Sequence, residues 1–213
     1  MTELITALSS DPTQLVRAIL RIFHFLGLAL GLGAASVLDL MILRFFLARV
    51  MTQQSFDVFE FCADLVSIGL KLLWLTGVGF LLFYWMTDPI KLTNEKVWAK
   101  MVIVAILSIN GFYIHRTVIP FVYGQIGARM LEGVPLHQQM LFTTTGVISF
   151  VSWYGPLVIA NLPQLNFQVP MVQILLIYAL VLVVLVAIAH IVLIGAASTS
   201  RARSLMRVRQ DPY

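Results

Sequence analysis

Charge is what this sequence has least of: 11% of its 213 residues are Asp, Glu, Lys or Arg, against about 25% in ordinary soluble domains. A water-exposed surface cannot be built from so few. Cysteine is nearly absent as well. Cys62 stands alone, which excludes an internal disulfide and any multi-cysteine metal or iron–sulfur cluster. There is no glycine-rich phosphate loop, no nucleophile and base pair with hydrolase spacing, and no basic patch for nucleic acid. The formal charge of +4 is concentrated at one end, in Arg201, Arg203, Arg207 and Arg209, so it describes a tail. The opening "MTELITALSSDPTQ" lacks a basic stretch and a small-residue cleavage site, and is expected to be retained.

What the chain has instead is apolar length. Hydrophobic residues make up 60% of it, and the mean hydropathy is +0.92. A membrane-crossing helix needs about 20 predominantly apolar residues. Five segments qualify: Ile22 to Leu47, Leu65 to Met86, Val97 to Ile119, Met140 to Leu162 and Val169 to Ala197. The expected fold class is therefore all-α, a single five-helix transmembrane domain in contact with the lipid bilayer. The arginine-rich tail sets the C-terminus inside and the N-terminus outside. Arg44, Arg49, Arg116 and Arg129 then fall inside with the tail, and Arg17, Arg21, Lys91, Lys96 and Lys100 outside. Pro156 is expected to kink the fourth span. Gly77 and Gly79, a lone G-x-G within the second, are expected to serve packing.

Ionisable groups at membrane depth are costly and mark functional positions. In "AKMVIVAILSINGFYIHRTVIP", the residues Lys100, Val104, Ser108, Gly111 and His115 fall on one helical stripe. Lys100 and His115 lie about 22 Å apart along it. The first span repeats the interval with His24 and Asp39, predicting an outer tier of His24 and Lys100, joined by Gln173, and an inner tier of Asp39 and His115. His190 joins the inner tier from the fifth span. The second contributes Asp57, Glu60, Asp64, Ser67 and Lys71 at helical spacing, with Asp64 and Lys71 entering the inner half of the membrane.

Histidines at matched depth predict haem b, with His115 and His190 as the axial pair. Below His24, Gly27, Gly31, Ala34 and Ala35 leave room for a flat ring, although Gly27 and Gly31 are equally a small-xxx-small helix-packing pair. Three functions follow. The first is a b-type haem protein with a redox role, passing electrons between a quinone or a partner protein and the cytoplasmic side. The second is a copper or proton-coupled transporter, a homo-oligomer given its small size. Its metal would be held by His115, His190 and Asp39, with Asp39, Asp64 and Lys71 as ion pairs or proton relay. The third is a noncatalytic subunit or assembly factor.

The segments "RIFHFLGLALGLGAASVLDLMILRF" and "VWAKMVIVAILSINGFYIHRTVIP" resemble a group of small bacterial membrane proteins: CopD-like copper-resistance domains, HemJ-type protoporphyrinogen oxidases and uncharacterised relatives. The shared pattern is an early-helix histidine before a glycine-rich turn, and a later helix that opens with lysine and closes with histidine. Here those positions are His24, Gly31 and Gly33, then Lys100, Asn110, Gly111 and His115. The resemblance implies the bacterial inner membrane, a haem-linked oxidoreductase or copper-linked role, and His24 as a haem ligand. The fifth span, His190, Asp39 and Asp64 depart from the porphyrinogen oxidases.

Overall fold

A computed structural model describes residues 11–46, 50–128 and 133–210, apart from the side chains of residues 46 and 196–210. Arg49 and Arg129 lie outside the described residues, as do the side chains of Arg201, Arg203, Arg207 and Arg209. The chain is all-α. Five long helices run α1 Pro12–Phe46, α2 Gln53–Thr87, α3 Glu95–Tyr123, α4 Leu136–Ala160 and α5 Met171–Gln210. Each contains a stretch long and apolar enough to cross a membrane.

α1 and α2 begin well before their expected spans, and α5 runs well past its expected end. Hydropathy registers only the segment that lipid would surround, whereas the first turn is set by a cap. Asp11 precedes Pro12 and its carboxylate accepts from the Gln14 backbone N–H at 3.0 Å. That bond, with a second from the Gln14 side chain, holds the Asp11 carboxyl below its ordinary pKa. Thr52 caps α2 through the Ser55 N–H at 3.2 Å. Asn94 caps α3 through the Lys96 N–H at 3.2 Å. Because α2 starts at Gln53, Asp57, Glu60 and Asp64 all stand on its exposed first turns.

In α3 the ladder widens to a π turn over Ile114–Val118, where the Ile119 N–H reaches back to the Ile114 carbonyl. Pro120 follows immediately. Its ring would crowd the carbonyl four residues back in a regular helix, and the wider turn lets the helix continue to Tyr123. α4 likewise runs unbroken through Pro156.

The bundle's outside is apolar and part of its inside is polar. Leu75, Trp85, Ile109, Phe112 and Leu176 are exposed, while Thr76, Lys96, Asn110, Thr145 and Ser152 are buried. In lipid this is the favourable sense, because apolar surface needs no cover and polar side chains bond between helices. α1 lies antiparallel against α2; α3, α4 and α5 form a second group, joined to the first where α1 meets α4 and where α2 meets α3.

Glycine sets the α1–α2 distance. A Cβ on Gly69 would lie 2.6 Å from the Gly31 Cα and 2.7 Å from the Gly27 carbonyl oxygen, so the backbones touch at that crossing. Gly79 has a lesser part, since a Cβ there would meet Leu20 at 2.8 Å; Gly77 has open space and no packing role.

At the face where α1 and α3 begin, Lys96 is buried and donates to the Ala160 and Leu162 carbonyls at 3.3 and 2.8 Å. It thereby satisfies carbonyls that the end of α4 leaves open. The Glu95 carboxylate accepts from the Met171 N–H at 2.6 Å, fastening the start of α5 alongside. At the opposite face the Met51 backbone pairs with Gly127 and Ala128 at 2.8 and 3.0 Å, above a cluster of Phe45, Phe56, Phe59, Val118 and Val122.

Candidate functional site

Two side-chain hydrogen bonds join α2 to α3. The Trp74 indole N–H donates to Ser108 Oγ at 2.8 Å, and Ser67 Oγ bonds His115 Nε2 at 2.8 Å. Trp74 and Ser67 are seven residues apart, as are Ser108 and His115. The bonds therefore stack two turns apart, about 10.5 Å along antiparallel helices. Ser108 passes its own proton to the Val104 carbonyl at 2.7 Å, leaving an oxygen lone pair for Trp74.

Behind these two bonds lies a cavity of about 430 Å³, a volume typical of small-molecule sites. Its walls are mostly apolar, with Phe59, Val66, Leu70, Leu107, Phe112 and Phe142 among them. Polar groups enter from four helices: Asp39 from α1; Ser67, Lys71 and Trp74 from α2; Ser108 and His115 from α3; Thr145, Ser149 and Trp153 from α4. Lys71, Phe112 and His115 are exposed at its edge, so it opens between α2 and α3. Among the described residues Asp39 and Lys71 form no ion pair or hydrogen bond, and Lys91–Asp88 is the one salt bridge.

His24 lies on α1 nearer the other face. Its Nδ1 is 2.8 Å from Thr76 Oγ1, and the Thr76 hydroxyl donates to the Leu72 carbonyl at 2.7 Å. The threonine proton being committed, the imidazole must donate from Nδ1. His24 is therefore held as the Nδ1–H tautomer, and its Nε2 keeps a lone pair. Phe80 packs edge-on against the ring at 5.7 Å. Lys100 is within electrostatic range of His24 and has no bonding partner among the described residues.

The expected tiers are displaced. Thr76, which faces His24, is two residues past Trp74, which faces Ser108. His24 is thus level with about Ile106, six residues deeper than Lys100. By the same register, Asp39 lies about six residues beyond the level of His115. Glycine contact sets α1 against α2, and this offset is invisible in intervals counted along separate helices.

Four expected arrangements are not formed. His115 and His190 are not a facing pair: His115 turns to Ser67 on α2, and His190 Nε2 donates to Thr144 Oγ1 and the Met140 carbonyl on α4, at 2.9 and 3.1 Å. Among the described residues none of α5 lines the cavity. The seat for a flat ring at Gly27 and Gly31 is filled, because α2 covers both and a Cβ on Gly31 would lie 2.9 Å from Trp153 Cζ3. Asp64 is exposed and outside the cavity, paired with neither Lys71 nor Asp39. Among the described residues no three His, Cys, Asp or Glu side chains gather as metal ligands, so His115, His190 and Asp39 do not make a copper site. Gln173 is exposed near the start of α5.

Fold and exterior define a multi-pass, five-span helical membrane protein. Comparison with known proteins matches the chain to no family model, no curated protein and no solved structure.

Proposed function

We propose that this protein binds a small lipid-soluble molecule inside the membrane and exchanges protons with it through Asp39, Lys71 and His115. What carries the reading is one observation: three ionisable side chains from three helices meet in a single apolar-walled cavity, two of them without a partner. Unpaired ionisable groups at membrane depth are expensive, and a bound molecule that hydrogen-bonds them offsets that expense. The positive tail supports an N-outside, C-inside orientation, which places the cavity towards the cytoplasmic side. Gly146 lines the cavity and a Cβ there would have open space, so Gly146→Leu fills the void without a backbone clash. Solvent extracts of the purified wild-type protein, analysed by mass spectrometry, are expected to yield a lipid-soluble compound that Gly146→Leu depletes. Equal amounts from both proteins would refute the reading.

A second reading, a b-type haem protein with a redox role, is favoured by His24. Its Nε2 lone pair is free and its tautomer is set by Thr76, which fits an axial ligand, and Lys100 supplies a nearby cation for a propionate. The residues do not fit a haem held by His115 and His190 or lying on Gly27 and Gly31. When bound, haem would supply one-electron transfer; the chain's part would be to hold and orient the iron through His24. Soret absorbance lost in His24→Ala is expected, and a colourless wild-type preparation with no pyridine-haemochrome signal refutes this reading alone.

A further inference from the structure

Trp153 is 2% exposed and lines the cavity, yet its indole N–H is buried with no hydrogen-bond partner among the described residues. The other cavity tryptophan, Trp74, gives its N–H to Ser108. Leaving a buried donor unpaired is unfavourable, and the simplest remedy is an acceptor brought in by a ligand. Lys71 and Ser149 add two more donors without partners, and Asp39 adds an acceptor.

This donor and acceptor set restricts the occupant. An anion would satisfy Trp153 and Lys71 but meet the Asp39 carboxylate. A cation would satisfy Asp39 but meet the Lys71 ammonium. A neutral molecule carrying oxygen acceptors, and in one form a hydroxyl donor, can serve both ends with no charge transferred from lipid into the site. Aromatic walls at Phe59, Phe112, Phe142 and Trp153 favour a ring over a flexible chain.

We propose that the cavity binds a neutral, lipid-soluble ring bearing carbonyl or hydroxyl oxygens, of the quinone–quinol class, through the unpartnered Trp153 indole N–H, Lys71 and Asp39. The proposal rests on the cavity reading above and names its ligand. The Trp153 and Lys71 donors take the ring's carbonyl oxygen, Asp39 takes the hydroxyl of the quinol form, and entry is from the bilayer through the opening between α2 and α3.

The test compares partition of decylubiquinone into nanodiscs that contain the full chain and into empty nanodiscs, with decanoate and decyltrimethylammonium as charged comparators. Saturable excess uptake of the quinone is expected in the wild type. Trp153→Phe, which keeps a ring and removes the N–H, is expected to weaken it about three- to tenfold, the range of one hydrogen bond. Gly111→Leu is expected to abolish it, since Gly111 lines the cavity and a Cβ there meets nothing within 4 Å. Uptake of a charged comparator in place of the quinone overturns the ligand class and leaves the cavity reading standing. Quinone uptake unchanged in both variants overturns the proposed site. No excess uptake of any probe overturns both.

Discussion

Gly69→Ala tests the contact on which the register of α1 against α2 depends. A Cβ at this position would stand 2.6 Å from the Gly31 Cα, where carbon atoms prefer about 3.5–4.0 Å, and the obstacle is backbone that cannot rotate away. Relief requires α1 and α2 to separate by about 1 Å, a change of the overpacking kind that costs about 1–3 kcal/mol. The same separation would lengthen the His24–Thr76 bond from 2.8 Å beyond hydrogen-bonding range, with a further loss of about 0.5–1.5 kcal/mol. Better helix propensity returns about 0.8–1 kcal/mol. Gly33→Ala is the matched control, because a Cβ there meets nothing within 4 Å and only the propensity gain of about 0.8–1 kcal/mol applies. Unfolding of both variants in mixed detergent micelles is expected to place Gly69→Ala about 1.5–4.5 kcal/mol below Gly33→Ala, the combined range of the overpacking and hydrogen-bond costs, since the propensity gain is common to both. A difference smaller than about 0.5 kcal/mol, within the scatter of neutral substitutions, would refute the close-contact argument and with it the register derived for His24.

Thr76→Val removes the oxygen that holds the His24 proton on Nδ1, so nitrogen shifts of labelled imidazole are expected to change from one tautomer to a mixture; an unchanged spectrum would contradict the assignment. Lys96→Met strips the charged donor from the Ala160 and Leu162 carbonyls, with an expected loss of about 1.5–3 kcal/mol in the same unfolding assay and faster exchange of amides at the α3–α4 face. Because folding lowers the Asp11 pKa, its capping contribution is present above the unfolded value and fades as pH falls through the folded one. Hydrogen exchange at the Gln14 amide should accelerate on acidification, and Asp11→Asn should flatten that response.

The number and kind of elements could be read directly from the sequence. Backbone polar groups have no water to bond in lipid, so long apolar runs can only be helices, and all five runs are. The residues with chemistry on α1, α2 and α3 were also visible, since stripes such as Ser67 and Lys71, or Ser108 and His115, follow helical spacing. That Asp39, Lys71 and His115 share the inner half was legible too, but the offset between the helices was not. Asp39, Lys71 and His115 line one cavity even though glycine contact slides α1 about six residues from the register that equal intervals imply. His190 turned away from His115 because α5 is apolar all round its membrane stretch, so no stripe in its sequence selects the face that packs; Thr144 and Met140 on α4 selected it. No role for Trp153 was legible. A tryptophan in an apolar run reads as bulk, and only tertiary packing presses its ring over Gly31 and leaves its N–H without a partner. Local composition determines what each helix is, because the solvent acts on every segment alike. Which side chains meet depends on rotation and sliding between helices, and those are decided by contacts far apart in the chain.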